Sequence, residues 1–173
     1  MTAIIYFGEM LVACLFATML VASSASGAMA VAAQLVAGAI LWTLAEYVLH
    51  RFVLHHYAPT AHGLHHANPD QPVQAIFWQI WLCFGLVYWF GGGALLAGAL
   101  IAYAWYLLVH HRAHQGAGNR RFALLRHHQT HHRFANRNFG VSTRFWDHVF
   151  GTVGAEIGAP AGDFTSGRGA LRE

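Results

Sequence analysis

Ten histidines of this chain stand at spacings that suit metal ligation. His62, His65 and His66 fall at i, i+3 and i+4, on one face of a helical turn. His128, His131 and His132 repeat the pattern, and His110 and His114 form an i, i+4 pair. His50 and His55 are five apart. A straight α-helix would separate them by about 140°. They share a centre only if the helix ends or bends between them, or if they flank it. Neutral imidazole is the commonest metal ligand and suits iron, zinc and copper. One metal takes about four to six ligands, so ten histidines argue for two metals close together.

A ligand ring needs its second nitrogen held by a carboxylate or a carbonyl. Glu46, four residues before His50, and Asp147, in the aromatic stretch near the end, are the candidates. Ordinary ion-pair or capping roles are the alternative for both. His56, His111, His127 and His148 fall outside the spacing and read as interfacial or core residues.

These ligands need elements to carry them, and the composition says which. The chain has 173 residues, of which 56% are hydrophobic and 10% charged, against about 25% charged in an average soluble domain. A bilayer-spanning helix takes about 20 mostly apolar residues. Residues 3–22 and 29–49 are two candidates, and 74–110, too long for one span, is broken by Gly91-Gly92-Gly93 into 74–90 and 94–110. The first segment lacks a basic start and carries Glu9, so it reads as an anchor and not as a signal peptide. The expected fold is an all-α integral membrane protein with four transmembrane helices in two hairpins. A cytosolic helical cap, 50–73 and 111–153, holds a dinuclear metal site. Residues 1–153 form a single domain, and 154–173 are a loose Gly- and Ala-rich tail.

All ten basic residues are arginines. The connections 23–28 and 91–93 carry none, whereas Arg51, Arg112, Arg120, Arg121, Arg126, Arg133, Arg137 and Arg144 follow the second and fourth spans. By the positive-inside rule both termini and every histidine group are cytosolic, in a bacterial inner membrane. The net charge of +3 is too small to suggest nucleic acid. Cys14 and Cys83 form no motif. A non-catalytic metal-binding or metal-transport membrane protein is the reading from another class. A transporter, however, wants ionisable residues near mid-span, and the spans offer only Glu9 and, near an end, Glu46. Phe77, Trp81, Phe84 and Tyr88 make a stripe at helical spacing that reads as a lipid-facing or packing face.

The set HX4H, HX2HH, HX3H, HX2HH, with "AEYVLHRFVLH", "HGLHH" and "FGVSTRFWDHVFGT" around it, resembles the fatty acid hydroxylase/sterol desaturase superfamily of membrane di-iron enzymes. The last segment is most similar to the fatty acid and ceramide 2-hydroxylase branch. The resemblance covers about residues 45–152. It implies two iron ions on the ten histidines, with zinc able to replace them in purified protein, and O2 as co-substrate. The implied reaction is hydroxylation of a lipid acyl chain, at C2 in that branch. The chain carries no recognisable electron-carrier motif, so an external donor is expected, a ferredoxin or a cytochrome with its reductase. Arg144 and Trp146 are the expected head-group contacts. Gln115 stands where the branch often has a further histidine, and "ANPDQPVQAIFW" lacks the arginine and paired prolines expected there. The short layout resembles bacterial carotenoid hydroxylases, so a carotenoid or sterol hydroxylase or desaturase is the alternative within the superfamily.

Overall fold

The structure is a computed structural model that describes residues 2–57, 59–69, 77–115 and 122–155. Residues 70–76, 116–121 (with Arg120 and Arg121) and 156–173, most of the expected tail, lie outside the described residues. Every element among the described residues is helical. They are α1 (Thr2–Ala22), α2 (Ala28–Val48), a π-helical segment (Leu49–Tyr57), α3 (Pro59–Ala67), α4 (Phe77–His114), α5 (Ala123–Arg133) and the short α6 (Phe145–Val149).

α4 is two antiparallel arms. At Gly92 φ is 79° and ψ is −179°, a conformation that glycine adopts without strain. Phe84 and Tyr103 lie on either side of that break, yet their ring centroids are 5.3 Å apart. On a straight helix they would be about 28 Å apart. The chain therefore folds back at the glycine triplet, as its composition indicates.

The core lies where α1, α2 and both arms of α4 meet: Ala13, Ala17, Trp42, Phe84, Leu96 and Leu100 are all buried there. Small residues set how closely the helices approach. A Cβ on Gly38 would stand 1.9 Å from the carbonyl oxygen of Leu95, and one on Gly98 2.1 Å from that of Leu35, so α2 and the second arm touch backbone to backbone. Outward faces stay apolar, with Trp89 and Phe90 more than four-fifths exposed. Surface of that kind needs lipid or a partner to cover it. Two stretches are long and apolar enough to cross a membrane, Ala28–His56 and Ile80–His114, and Tyr6–Ala22 is a shorter apolar helix.

Candidate metal centre

The ten spaced histidines meet at one end of the bundle, in two quintets. His50, His55, His62, His66 and His131 form one; His65, His110, His114, His128 and His132 form the other. Within each quintet the five ring nitrogens lie within 4.8 Å of one another. The i, i+3, i+4 triplets divide between the two. His62 and His66 turn to the first quintet while His65 turns to the second, and His131 parts from His128 and His132 in the same way.

The π-helical segment explains His50 and His55. An i→i+5 repeat puts residues five apart on one face. The rings lie 5.2 Å apart between centroids, and the π-helical segment runs unbroken from one to the other. Pro59 starts α3, where its missing N–H costs nothing.

Nitrogen–nitrogen distances test whether a metal fits. In the first quintet, Nε2 of His62 is 3.0 Å from Nε2 of His50 and 3.1 Å from that of His66, and Nε2 of His55 is 3.1 Å from that of His131. In the second, the pairs His110–His65, His128–His114 and His132–His128 stand at 3.1, 3.2 and 3.2 Å. Two nitrogens each about 2.1 Å from one ion, at right to tetrahedral angles, lie about 3.0–3.4 Å apart. The tautomers agree. Nδ1 of His50 donates to the carbonyl of Phe139 at 2.5 Å and Nδ1 of His131 to that of Arg137 at 2.8 Å. A carbonyl only accepts, so both neutral rings turn a bare Nε2 lone pair inward. Burial and neighbouring rings keep the imidazoles neutral, the state that binds metal. Burial first, then crowding by His66 and His55, pushes His62 down to about 2. Burial holds His131 down at about 3 and His128 well below the usual histidine range. Buried, neutral, convergent imidazoles fit two closely spaced transition-metal ions.

The two expected carboxylates bond the backbone. Glu46, buried, accepts from the amides of Val141 at 2.6 Å and Ser142 at 3.0 Å, and from the Ser142 hydroxyl. Asp147, fully buried, accepts from the amides of Phe139 and Gly140 at 2.8 and 2.7 Å and from Thr152 Oγ1 at 2.7 Å. Burial alone would raise the Asp147 pKa, but the bonds from His127 and Thr152 and from the Gly140 amide outweigh it and hold the carboxyl below its ordinary value. A Cβ on Gly140 would stand 2.9 Å from Asp147 Oδ2. Both carboxylates thus hold segment 139–142, and that segment, through the carbonyl of Phe139, holds His50. Asn138 turns the chain there. Its φ is 57°, a left-handed value that asparagine tolerates better than most residues. Its side-chain oxygen accepts from the Gly154 amide at 2.7 Å. The carbonyls on either side of it, those of Arg137 and Phe139, both reach rings of the first quintet.

Spacing alone could not find three of these partners. Tyr6, on the first helix, places its hydroxyl 3.1 Å from Nδ1 of His110. His127, outside both quintets, is fully buried with Nε2 2.9 Å from Asp147 Oδ2. Phe139 packs against the rings of His50, His55 and His131 at 6.0, 5.5 and 5.4 Å. His56 and His148 are exposed and His111 is half-buried. The expected head-group residues sit at α6. Trp146 donates from Nε1 to Thr43 Oγ1 of α2 at 3.1 Å, and Arg144, half-buried, caps α6.

Known proteins carry the same stretch. Human fatty acid 2-hydroxylase is 32% identical over 144 residues, 69% of this chain and 39% of the human protein. A dihydroceramide fatty acyl 2-hydroxylase of Arabidopsis thaliana is 31% identical over 138 residues, 67% of this chain and 58% of the plant protein. A ceramide very long chain fatty acid hydroxylase of Schizosaccharomyces pombe is 26% identical over 143 residues, 68% and 41% of the two chains. The chain thus spans roughly two-fifths of the animal and yeast relatives and three-fifths of the plant one. No solved structure matches. The sequence pattern that defines the fatty acid hydroxylase family matches residues 35–152, which hold both quintets and the segment that braces them, and the chain belongs to that family.

Proposed function

We propose that this chain is an O2-dependent hydroxylase of a lipid acyl chain, fatty acid or acyl lipid, acting near the carboxyl or amide end. The single observation that carries the reading is the pair of histidine quintets with their inward Nε2 atoms. The ten histidines would hold two iron ions. When bound, the irons supply activation of O2 and removal of hydrogen from an unactivated C–H bond. The protein does the rest. The backbone carbonyls of Phe139 and Arg137 and the hydroxyl of Tyr6 fix ring orientation. Glu46 and Asp147 keep segment 139–142 in place. Phe139 keeps water off the first quintet. The reaction needs no separate nucleophile or acid–base pair from the protein.

Substrate placement follows from the bundle. Four spans in two hairpins, with the quintets and both termini cytosolic, leave the acyl chain between helices and the head at the membrane surface. An apolar groove of about 310 Å³ runs along α2 and both arms of α4, lined by Leu41, Leu86, Val87, Phe90, Gly91 and Leu95. Leu41 is nine residues before His50, about 13 Å along the helix. A tail lying in this groove with its oxidised carbon at the quintets is held by burial at about 0.8 kcal/mol per CH2. Methylenes are chemically alike, so the carbon attacked is set by where the head is gripped. Arg144 and Trp146, beside α2, are the contacts for it.

The test is product analysis in a carotenoid-producing host. Hydroxy fatty acid released by lipid hydrolysis, dependent on His65 and His131, supports the reading. Accumulation of 3-hydroxylated carotenoid without hydroxy fatty acid would overturn it in favour of the carotenoid branch.

A further inference from the structure

The hydroxylation takes two electrons from a donor, and the surface beside the first quintet bears on where they enter. Segment 133–137, Arg-Phe-Ala-Asn-Arg, is exposed throughout and begins on the last residue of the ligand helix α5. The Arg133 guanidinium lies 5.6 Å from the Phe134 ring centroid, so a charge and an apolar plate are presented together. The backbone behind them is in the metal site: the carbonyl of Arg137 holds Nδ1 of His131 at 2.8 Å, and that of Phe139 holds His50. A molecule touching Arg137 from solvent is therefore one hydrogen bond from a ring of the first quintet.

The charge around this segment has one sign. Among the described residues the three carboxylates, Glu9, Glu46 and Asp147, are at least partly buried, the last two fully within the protein, while the exposed charged side chains are Arg112, Arg133 and Arg137. Such a surface steers an anionic partner. Encounters between redox proteins are small, below about 1,200 Å², so a short basic segment with an exposed aromatic suffices.

We propose that segment 133–137 is the docking surface for an acidic one-electron carrier protein, which delivers electrons to the first quintet by way of Arg137 and His131. The proposal rests on the hydroxylase reading. Each carrier is oxidised by one electron, so one turnover takes two encounters. The two electrons and two solvent protons accompany one O2; one oxygen atom enters the C–H bond as hydroxyl and the other leaves as water. A lipid headgroup would satisfy the arginines as charge. It would have no use for the backbone link between this segment and a ligand ring, which favours the carrier.

The experiment measures binding without turnover. Metal-loaded protein in zwitterionic nanodiscs is titrated with a plant-type ferredoxin and, separately, with the soluble haem domain of cytochrome b5. The variants are Arg133→Glu alone, Arg133→Glu with Arg137→Glu, and Arg112→Glu as a charge-matched control, each first checked for retained metal. The expected result is at least tenfold weaker binding of one carrier by the double variant at low salt, mostly through the on-rate. Arg133→Glu alone should show a partial loss and Arg112→Glu less than threefold, and the differences should shrink as salt rises. Unchanged binding of both carriers, or an equal loss with Arg112→Glu, overturns the proposal. An effect present only in anionic nanodiscs assigns the arginines to lipid and also overturns it. Absence of product with dithionite as electron source would count against the hydroxylase reading alone, because carrier binding is read separately.

Discussion

The Tyr6 hydroxyl lies 3.1 Å from Nδ1 of His110, so the first helix of the chain reaches a ring of the second quintet. With a metal held on Nε2 of His110, which faces His65, Nδ1 would carry the proton and the phenolic oxygen would accept it. Partners of this kind are worth about 10–100-fold in metal affinity. Tyr6→Phe is expected to lower iron retention against a chelator by that factor while the helical content by circular dichroism stays the same. Retention equal to the wild type would show that α1 anchors the chain without serving the site.

Histidine substitutions separate ligands from braces. His65→Ala and His131→Ala are each expected to lower bound metal and abolish product, because each removes one of five converging nitrogens. His111→Ala, at a half-buried position outside both quintets, is expected to leave metal content unchanged. His127→Ala should differ from all three. It leaves an oxygen of buried Asp147 short of a donor, at about 1–3 kcal/mol, so the expected signature is a lower Tm with metal still bound. Equal metal loss at all four positions, measured by elemental analysis, would contradict the grouping.

These contrasts also mark how far the sequence could be read. Helical spacing located eight of the ten ring positions, all but His50 and His55, and the Gly91–Gly93 triplet located the reversal in α4, because both are local properties of the chain. The division of each i, i+3, i+4 triplet between two quintets was not legible, since it depends on where α3 and α5 face each other. Nor was the π-helical segment, which brings His50 and His55 together by a change of helical repeat that their five-residue spacing only required. The groups that hold the rings were the hardest to see. Tyr6 is 104 residues from His110. The carbonyls of Arg137 and Phe139 are backbone atoms that any residue could supply. Glu46 and Asp147 stood out as acids in apolar surroundings, but sequence could not tell a bond to a ring from a bond to the backbone that holds the ring.

Asn138 offers a backbone test. Asn138→Ala removes the acceptor for the Gly154 amide and leaves a residue with less tolerance of φ near 57°. A loss of about 1–3 kcal/mol in stability is expected, with weaker metal retention because both flanking carbonyls shift. Asn138→Gly should recover part of the stability. Full stability and retention in the alanine variant, by thermal unfolding and metal analysis, would remove the turn from the description of the site.

Acid should loosen the metal-free protein. In the unfolded chain a histidine titrates near 6.5; folded, His62 is pushed down to about 2 and His131 to about 3. Between those values the unfolded state binds more protons, so stability rises with pH. The contribution is fully present above about 6.5 and is lost as pH falls toward 3. Each ring contributes a slope of about 1.4 kcal/mol per pH unit, or about 2 kcal/mol between pH 6.5 and 5. Denaturant unfolding of apo-protein in detergent is expected to show falling stability over that interval, and a flat profile would mean that the rings are not buried without metal.

The count of metals per chain bears most directly on the centre itself. Purified protein is loaded anaerobically with excess Fe(II), desalted and analysed by inductively coupled plasma mass spectrometry against a protein concentration from amino-acid analysis. Two quintets of converging imidazoles are expected to retain close to two irons per chain. A ratio that saturates at one or below in folded, helical protein would contradict the dinuclear centre on which the proposed hydroxylation depends.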